Sequence, residues 1–279
     1  MNSLKKINSE IKWGGSILAL YLVWAITWFI QSHFLKGSFS APYLPSSDIK
    51  IELLGPGGQG FILGTDIYGR SLYELLSSGL NYSLGISLLV CLMAASIGII
   101  VGYLSVTGPR FVKIASDLLI NLIFVFPSIL IAILIMAATG QSFWGLVFCL
   151  VVTGWPGYAK IVRGETIRVM GLTYVESAVA IGVSKLRLFF TILLPAIMPL
   201  LSVHIVLGLS GVIISEATLG FLGLGGSEYS WGSMLSMAKT VLLEAPSVVV
   251  FLSFSMGGLI IGLNLLGDGL RDYLDPKGV

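Results

Sequence analysis

The stretch that decides the fold is YVESAVAIGVSKLRLFFTILLP, Tyr174 to Pro195. A carboxylate, Glu176, and two cations, Lys185 and Arg187, lie here between long apolar runs. A charge at a bilayer centre costs roughly 2.5–3.5 kcal/mol on insertion scales, so three charges keep this segment out of the hydrocarbon. Yet ESAVAIG is helix-compatible, small and apolar, and Ala178, Val179, Ala180, Ile181 and Val183 offer a face to something. Gly182 permits a sharp turn. SKLRLFF reads as a second short helix that Ser184 can cap. Pro195 and Pro199 fall in the first turns of the following apolar run, where a missing N–H is tolerated or kinks the helix. On residues alone two readings stand side by side: a helix seated in a partner's groove, or an amphipathic helix lying on a leaflet.

Working outward, the rest of the chain is suited to lipid. Of 279 residues, 56% are hydrophobic and 11% charged, against about 25% charged in soluble domains. Mean hydropathy is +0.95. A soluble protein of this length cannot hide so much apolar surface, so the class is integral membrane, all-α. The start of the chain is basic and then apolar from Trp13 to Ile30. That run is long and no small-residue cleavage site follows, so it reads as an uncleaved first span.

A helix needs about 20 apolar residues to cross a ~30 Å core. Charge-free runs place spans at Trp13–Leu35, Tyr82–Val106, about 112–138, 143–162, Leu188–Ser215 and Ala245–Gly267. The uncharged run from Leu118 to Ala159 is too long for one span, and TGQS at Thr139–Ser142 is its natural turn. Six spans put both termini on one side. Lys5, Lys6, Lys12, Arg110, Lys113, Lys160, Arg163, Arg168, Lys185, Arg187, Arg271 and Lys277 share that side with the opening stretch, against Lys36, Lys50, Arg70 and Lys239 opposite. The excess of cations marks the cytoplasm. The expected organisation is a cytoplasmic N-terminus and first helix over 1–35, an extracytoplasmic loop over 36–80, and a five-helix core over 81–279. A cytoplasmic loop covers about 163–192. GIIVG (Gly98–Gly102) and GLIIG (Gly258–Gly262) have small-xxx-small spacing, read either as packing within the chain or as a subunit contact.

Chemistry of other classes is missing from the sequence. No G-x-x-x-x-G-K-[ST] cradle occurs, and GPGGQG at 55–60 lacks its Lys and its strand context. No metal set is expected. His33 and His204 stand apart, with no Cys/His cluster, and Cys91 and Cys149 lie inside apolar runs as small hydrophobes. An autonomous secondary transporter would need inverted repeats or several intramembrane ionisable groups. A membrane enzyme would need a convergent acid/base set. Only His204 and Glu216 lie within or near a span interior, where a packed, hydrogen-bonded role competes with substrate contact or gating.

Glu176-Ser177-Ala178, then Gly182, then, after residues 183–191, Ile192-Leu193-Leu194-Pro195 resembles the E-A-A…G…I-x-L-P loop of ABC-importer permeases. Ser177 stands where a second small residue, Ala, is usual. LGTDIYGR, Leu63–Arg70, resembles the G-T-D-x-x-G-R signature of the C-type permeases of dipeptide, oligopeptide and nickel importers, with Gly64, Thr65, Asp66, Gly69 and Arg70 in register. YAKIVRGETI, EATLGFLGLG, SWGSML and LNLLGDGLRDYLDPKG resemble further stretches of that subfamily. A proline-rich piece usual in it is reduced here to GSEY, Gly226–Tyr229.

The resemblance implies a type I ABC importer permease fold in a bacterial or archaeal inner membrane. It implies that the loop is an ATPase-coupling element, with Glu176 a polar contact, Ala178 and Ala180 the close-packing face, and Gly182 the turn. Partners would be a second homologous permease, two cytoplasmic ATPase subunits, an extracytoplasmic solute-binding protein and membrane lipid, with no nucleic acid. ATP and magnesium would be used by the ATPases, and this chain would bind no cofactor. Cargo would be di- or oligopeptides, with nickel, a metal chelate or a glutathione-like solute as alternatives. Asp66 and Arg70, spaced i, i+4, would pair on one helical turn or contact the binding protein or second permease.

Overall fold

A computed structural model describes residues 9–35 and 52–274. Lys5, Lys6, Lys36, Lys50 and Lys277, and the first part of the expected 36–80 loop, lie outside the described residues. The elements are α1 (Ser9–Ile30, continued by a π turn Gln31–Leu35), α2 (Leu72–Thr107), α3 (Arg110–Val125), α4 (Ser128–Thr139), α5 (Phe143–Met170), α6 (Thr173–Ala180), α7 (Lys185–Leu188), α8 (Leu194–Phe221), α9 (Trp231–Ala238) and α10 (Pro246–Leu274). A π turn, Phe189–Leu193, joins α7 to α8. Among the described residues the extended pairing is a single bridge between Thr65 and Ser71.

Among the described residues, five stretches are long and apolar enough to cross a membrane: Ser9–Phe34, Leu72–Thr107, Phe143–Met170, Lys185–Phe221 and Pro246–Leu274. The expected span over about 112–138 is bent. It is two helices, α3 and α4, bent by 93°. Pro127 is the cause, because it carries no N–H and forces the residue before it out of the helical region. Phe126 accordingly sits at φ −96°, ψ 142°. The other spans overrun their expected ends. α2 starts at Leu72, inside the expected outer loop, α5 runs on to Met170, and α7–α8 is helical from Lys185 to Phe221. Polar and charged residues continue these helices beyond the charge-free runs. Gly140 (φ +78°) turns the chain after α4. Ser142 then caps α5 by accepting the Gly145 N–H at 3.1 Å.

Helix packing follows the small residues. A Cβ on Gly102 would lie 2.6 Å from the Ala159 carbonyl oxygen, and one on Gly98 would strike Tyr158. A Cβ on Gly262 would lie 2.7 Å from Ile17, and one on Gly258 2.5 Å from the Tyr21 hydroxyl. Both Gly-xxx-Gly pairs therefore serve contacts within the chain, α2 on α5 and α10 on α1. Without water to drive association, close backbone approach supplies the van der Waals contact that holds membrane helices together. Trp231, 1% exposed, is wedged against α2 and donates its indole N–H to the Leu76 carbonyl at 3.1 Å.

Candidate coupling site

The opening stretch folds as an anchored hairpin of two short helices. α6 has one fully buried side chain, Val175. It packs in a cluster with Val162, Val169, Leu188, Leu193 and Ile197, so the ends of α5 and α8 grip it from both sides. Ala178, Val183 and Ile192 pack against the same cluster. Glu176, Ser177 and Ala180 are exposed, as are Gly182 and Pro195, while Leu194 is half-buried. Glu176 lies in the first turn of α6, where a carboxylate complements the helix dipole. The Ser177 hydroxyl donates to the Thr173 carbonyl at 2.9 Å. The extra oxygen is thus turned onto its own helix, which explains how Ser replaces Ala at this position.

Gly182 ends α6 in the left-handed region, φ +84°. Its N–H donates to the Val179 carbonyl at 3.0 Å, and the Val183 N–H to the Ala178 carbonyl at 3.1 Å. These two bonds form a Schellman cap, and Val183 and Ala178 supply its apolar contact. Ser184 occupies the cap position of α7, but its side chain makes no cap bond, contrary to the sequence expectation.

The sequence offered no sign of what ties this hairpin to α2. The Tyr103 hydroxyl donates to the Lys185 carbonyl at 3.2 Å, and Lys185 Nζ reaches the Thr107 carbonyl at 3.5 Å. The Tyr103 and Phe189 rings pack with centroids 4.5 Å apart. An ion pair between Arg163 and Asp117 joins α5 to α3, also unforeseen. Opposite charges separated by 46 residues carry no local pattern.

Gly64, Thr65, Asp66, Gly69 and Arg70 form a compact elbow before α2. Asp66 and Arg70 pair as expected from their spacing, at 2.6 Å, and both are 7% exposed. They do so in a turn rather than on a helix, which corrects the helical-turn expectation. Asp66 Oδ1 accepts the N–H groups of Tyr68 (2.9 Å) and Arg70 (2.8 Å), and Oδ2 accepts Arg70 Nε at 2.7 Å. Arg70 also lies 4.8 Å over the Tyr68 ring. Gly64 has φ +88°, and a Cβ there would strike the Leu54 carbonyl oxygen. Thr65 pairs with Leu54 on both sides, its N–H to the Leu54 carbonyl (3.0 Å) and its hydroxyl taking the Leu54 N–H (2.9 Å).

His204 Nδ1 is 2.9 Å from the Leu200 carbonyl, one turn back in its own helix. Glu216 is fully buried, and Ser83 of α2 donates to its Oε2 at 3.1 Å. Glu216 therefore links α8 to α2 through Ser83, a partner 133 positions away that nothing in the sequence marks. Cys91 and Cys149 are buried and free. Among the described residues no group of three His, Cys, Asp or Glu is placed to hold a metal.

The family model for the binding-protein-dependent transport system inner membrane component matches residues 52–278. The chain is 35% identical over 221 residues to the glutathione transport system permease protein GsiD of Pectobacterium atrosepticum, covering 77% of this chain and 72% of that protein. It is 35% identical over 245 residues to the di/tripeptide transport system permease protein DppC of Pseudomonas aeruginosa, covering 85% and 81%. In fold it is similar to the inward-facing MetNI methionine ABC transporter (TM-score 0.50, 18% identity, 68% of this chain and 96% of that one). It is also similar to an amino acid ABC transporter (TM-score 0.54, 16% identity, 70% and 91%). The chain belongs to the binding-protein-dependent transport system inner membrane component family and is a permease subunit of an ABC importer of the inner membrane.

Proposed function

We propose that this permease forms half of the translocation pathway for di- or oligopeptides or a related solute such as glutathione, and that α6 with Gly182 seats in a cleft of a cytoplasmic ATPase. The observation that carries the coupling role is the anchoring of α6. Val175 fixes its base, and Glu176, Ser177 and Ala180 are left outward. A helix held on one side and small on the other is shaped for a groove. The names of the relatives, glutathione and di/tripeptide permeases, support the cargo class.

On this reading the partners are a second homologous permease, two ATPase subunits that use ATP and magnesium, and an extracytoplasmic binding protein. The chain binds no cofactor of its own. Both termini and the α6–α7 hairpin lie in the cytoplasm, and the bent α3–α4 pair counts as one of six crossings. The elbow at Asp66–Arg70 then lies on the outer side.

The test replaces Ala180 with Trp, which adds bulk to the outward face of α6 without touching the cluster beneath. Dipeptide uptake should fall sharply, and less ATPase should co-purify. Uptake by the purified permease alone, without any ATPase, would overturn the reading. Sidedness is checked with cysteines. Ser184→Cys should react only from the cytoplasm and Glu228→Cys only from outside.

A further inference from the structure

We propose that a groove between α4, α5 and α8 is a solvated wall of the solute pathway, offering hydrogen-bond acceptors to N–H groups of the cargo; this rests on the peptide-importer reading above. The groove encloses about 220 Å³ and is lined by four hydroxyl side chains, Ser128, Thr153, Ser215 and Thr218. The rest of the wall is apolar, including Ala132 and Leu150.

Three of the four hydroxyl protons are already committed. Thr153 donates to the Cys149 carbonyl (3.0 Å), Ser215 to Gly211 (2.9 Å) and Thr218 to Ile214 (2.7 Å). What these oxygens can still present to the groove is lone pairs. Acyl chains carry no donor to meet them, whereas water and amide N–H groups do. No ionisable residue lines the groove, so nothing there selects for a side-chain charge. An acceptor wall without charge reads what all peptides share, the backbone N–H, and tolerates variable side chains.

Two further placements support the assignment. Ser215 and Thr218 lie i, i+3 on one face of α8, while Glu216 between them turns away to Ser83 in the buried core. Ser128 is the first residue of α4, directly after the 93° break at Pro127. Any change of that angle moves one wall of the groove relative to the other two.

The test uses native membranes that hold the whole transporter, with Ser215→Cys and Thr218→Cys compared against Leu134→Cys. Leu134 is 70% exposed on α4 and outside the groove. The wild type sets the background, since Cys91 and Cys149 are buried. A charged, membrane-impermeant thiol reagent should label the two groove cysteines at least about tenfold faster than Leu134→Cys, because a charged reagent is excluded from hydrocarbon by several kcal/mol. Saturating alanyl-alanine should slow that labelling several-fold.

Equal rates at all three positions would make the groove lipid-facing and overturn the proposal. Cross-linking to the second permease in place of labelling would make it a subunit interface, with the same consequence. Labelling without protection, in membranes whose wild-type transporter takes up alanyl-alanine, would remove the cargo contact. If the wild type takes up no dipeptide, the peptide reading itself falls, and the labelling rates still decide whether the groove is solvated.

Discussion

Tyr103 near the end of α2 holds Lys185 at the start of α7 by its main-chain carbonyl, 3.2 Å from the phenol oxygen. The α6–α7 hairpin is thereby tied to three long helices: α5 leads into it, α8 leads out, and α2 is fastened across. Replacing Tyr103 with Phe removes only the hydroxyl and leaves the ring against Phe189. A hydrogen bond of this kind contributes about 0.5–1.5 kcal/mol. Transporter assembly should survive Tyr103→Phe while peptide taken up per ATP hydrolysed falls. Tyr103→Ala should lower that ratio further. An unchanged ratio in both variants would remove α2 from the coupling route.

The Gly182 cap makes a graded prediction. The surroundings of Gly182 are open, so space is not the constraint. Its φ of +84° is the constraint, since a side chain there meets a cost of about 1–2 kcal/mol. Asn tolerates this region better than most residues, and a β-branched residue least. Uptake should therefore fall in the order Gly182→Asn, Gly182→Ala, Gly182→Val. If Val is as active as Asn, the cap geometry does not matter for transport.

The Asp66–Arg70 elbow should respond asymmetrically. Removing one partner of a buried pair costs about 3–5 kcal/mol, because the other charge is left unpaired. Arg70→Met leaves Asp66 with the main-chain N–H groups of positions 68 and 70. Asp66→Ala leaves Arg70 buried and two amides without their acceptor. Thermal unfolding of the purified transporter should show the larger loss for Asp66→Ala. The reverse order would mean that the elbow depends on Arg70 through a contact other than Asp66.

Glycine packing is tested by contrast on one helix. Gly102→Val places a branched side chain where a Cβ alone would lie 2.6 Å from Ala159 oxygen. Overpacking of this kind costs about 1–3 kcal/mol or more, and membrane levels of the protein on an immunoblot should drop. Gly85 on the same helix has nothing within 4 Å of an added Cβ, so Gly85→Ala should accumulate normally. Equal levels would show that α2 can move away from α5.

What the sequence shows of this structure is what short range and hydropathy encode. The α6–α7 segment was legible as a separate hairpin because its spacing is rigid and its charges stand out against apolar flanks. The Asp66–Arg70 pair was legible as a pair because i, i+4 neighbours meet, yet the same spacing misassigned its backbone to a helix. Pro127 lies in the sequence, but the uncharged run that begins at Leu118 reads as one continuous span up to the turn at Thr139, and the 93° bend does not show in it. Tyr103–Lys185, Asp117–Arg163 and Ser83–Glu216 were invisible. Their partners lie 82, 46 and 133 positions apart, and no periodicity connects them.

The unbroken run of α5 has a mechanical consequence. Its 28 residues span about 42 Å, against a hydrocarbon core of ~30 Å. On the reading proposed above, the surplus of roughly 12 Å, two turns of helix, lets α6 stand clear of the acyl chains. The hairpin thus hangs on a stalk, and a push delivered there acts at a distance from the membrane plane. On that reading a displacement at the tip turns the rod about its close contact with α2, where Gly98 and Gly102 meet Tyr158, Ala159 and Val162. On the same reading, shortening the stalk by one turn would bring the exposed face of α6 toward the headgroups and roughly halve the arm.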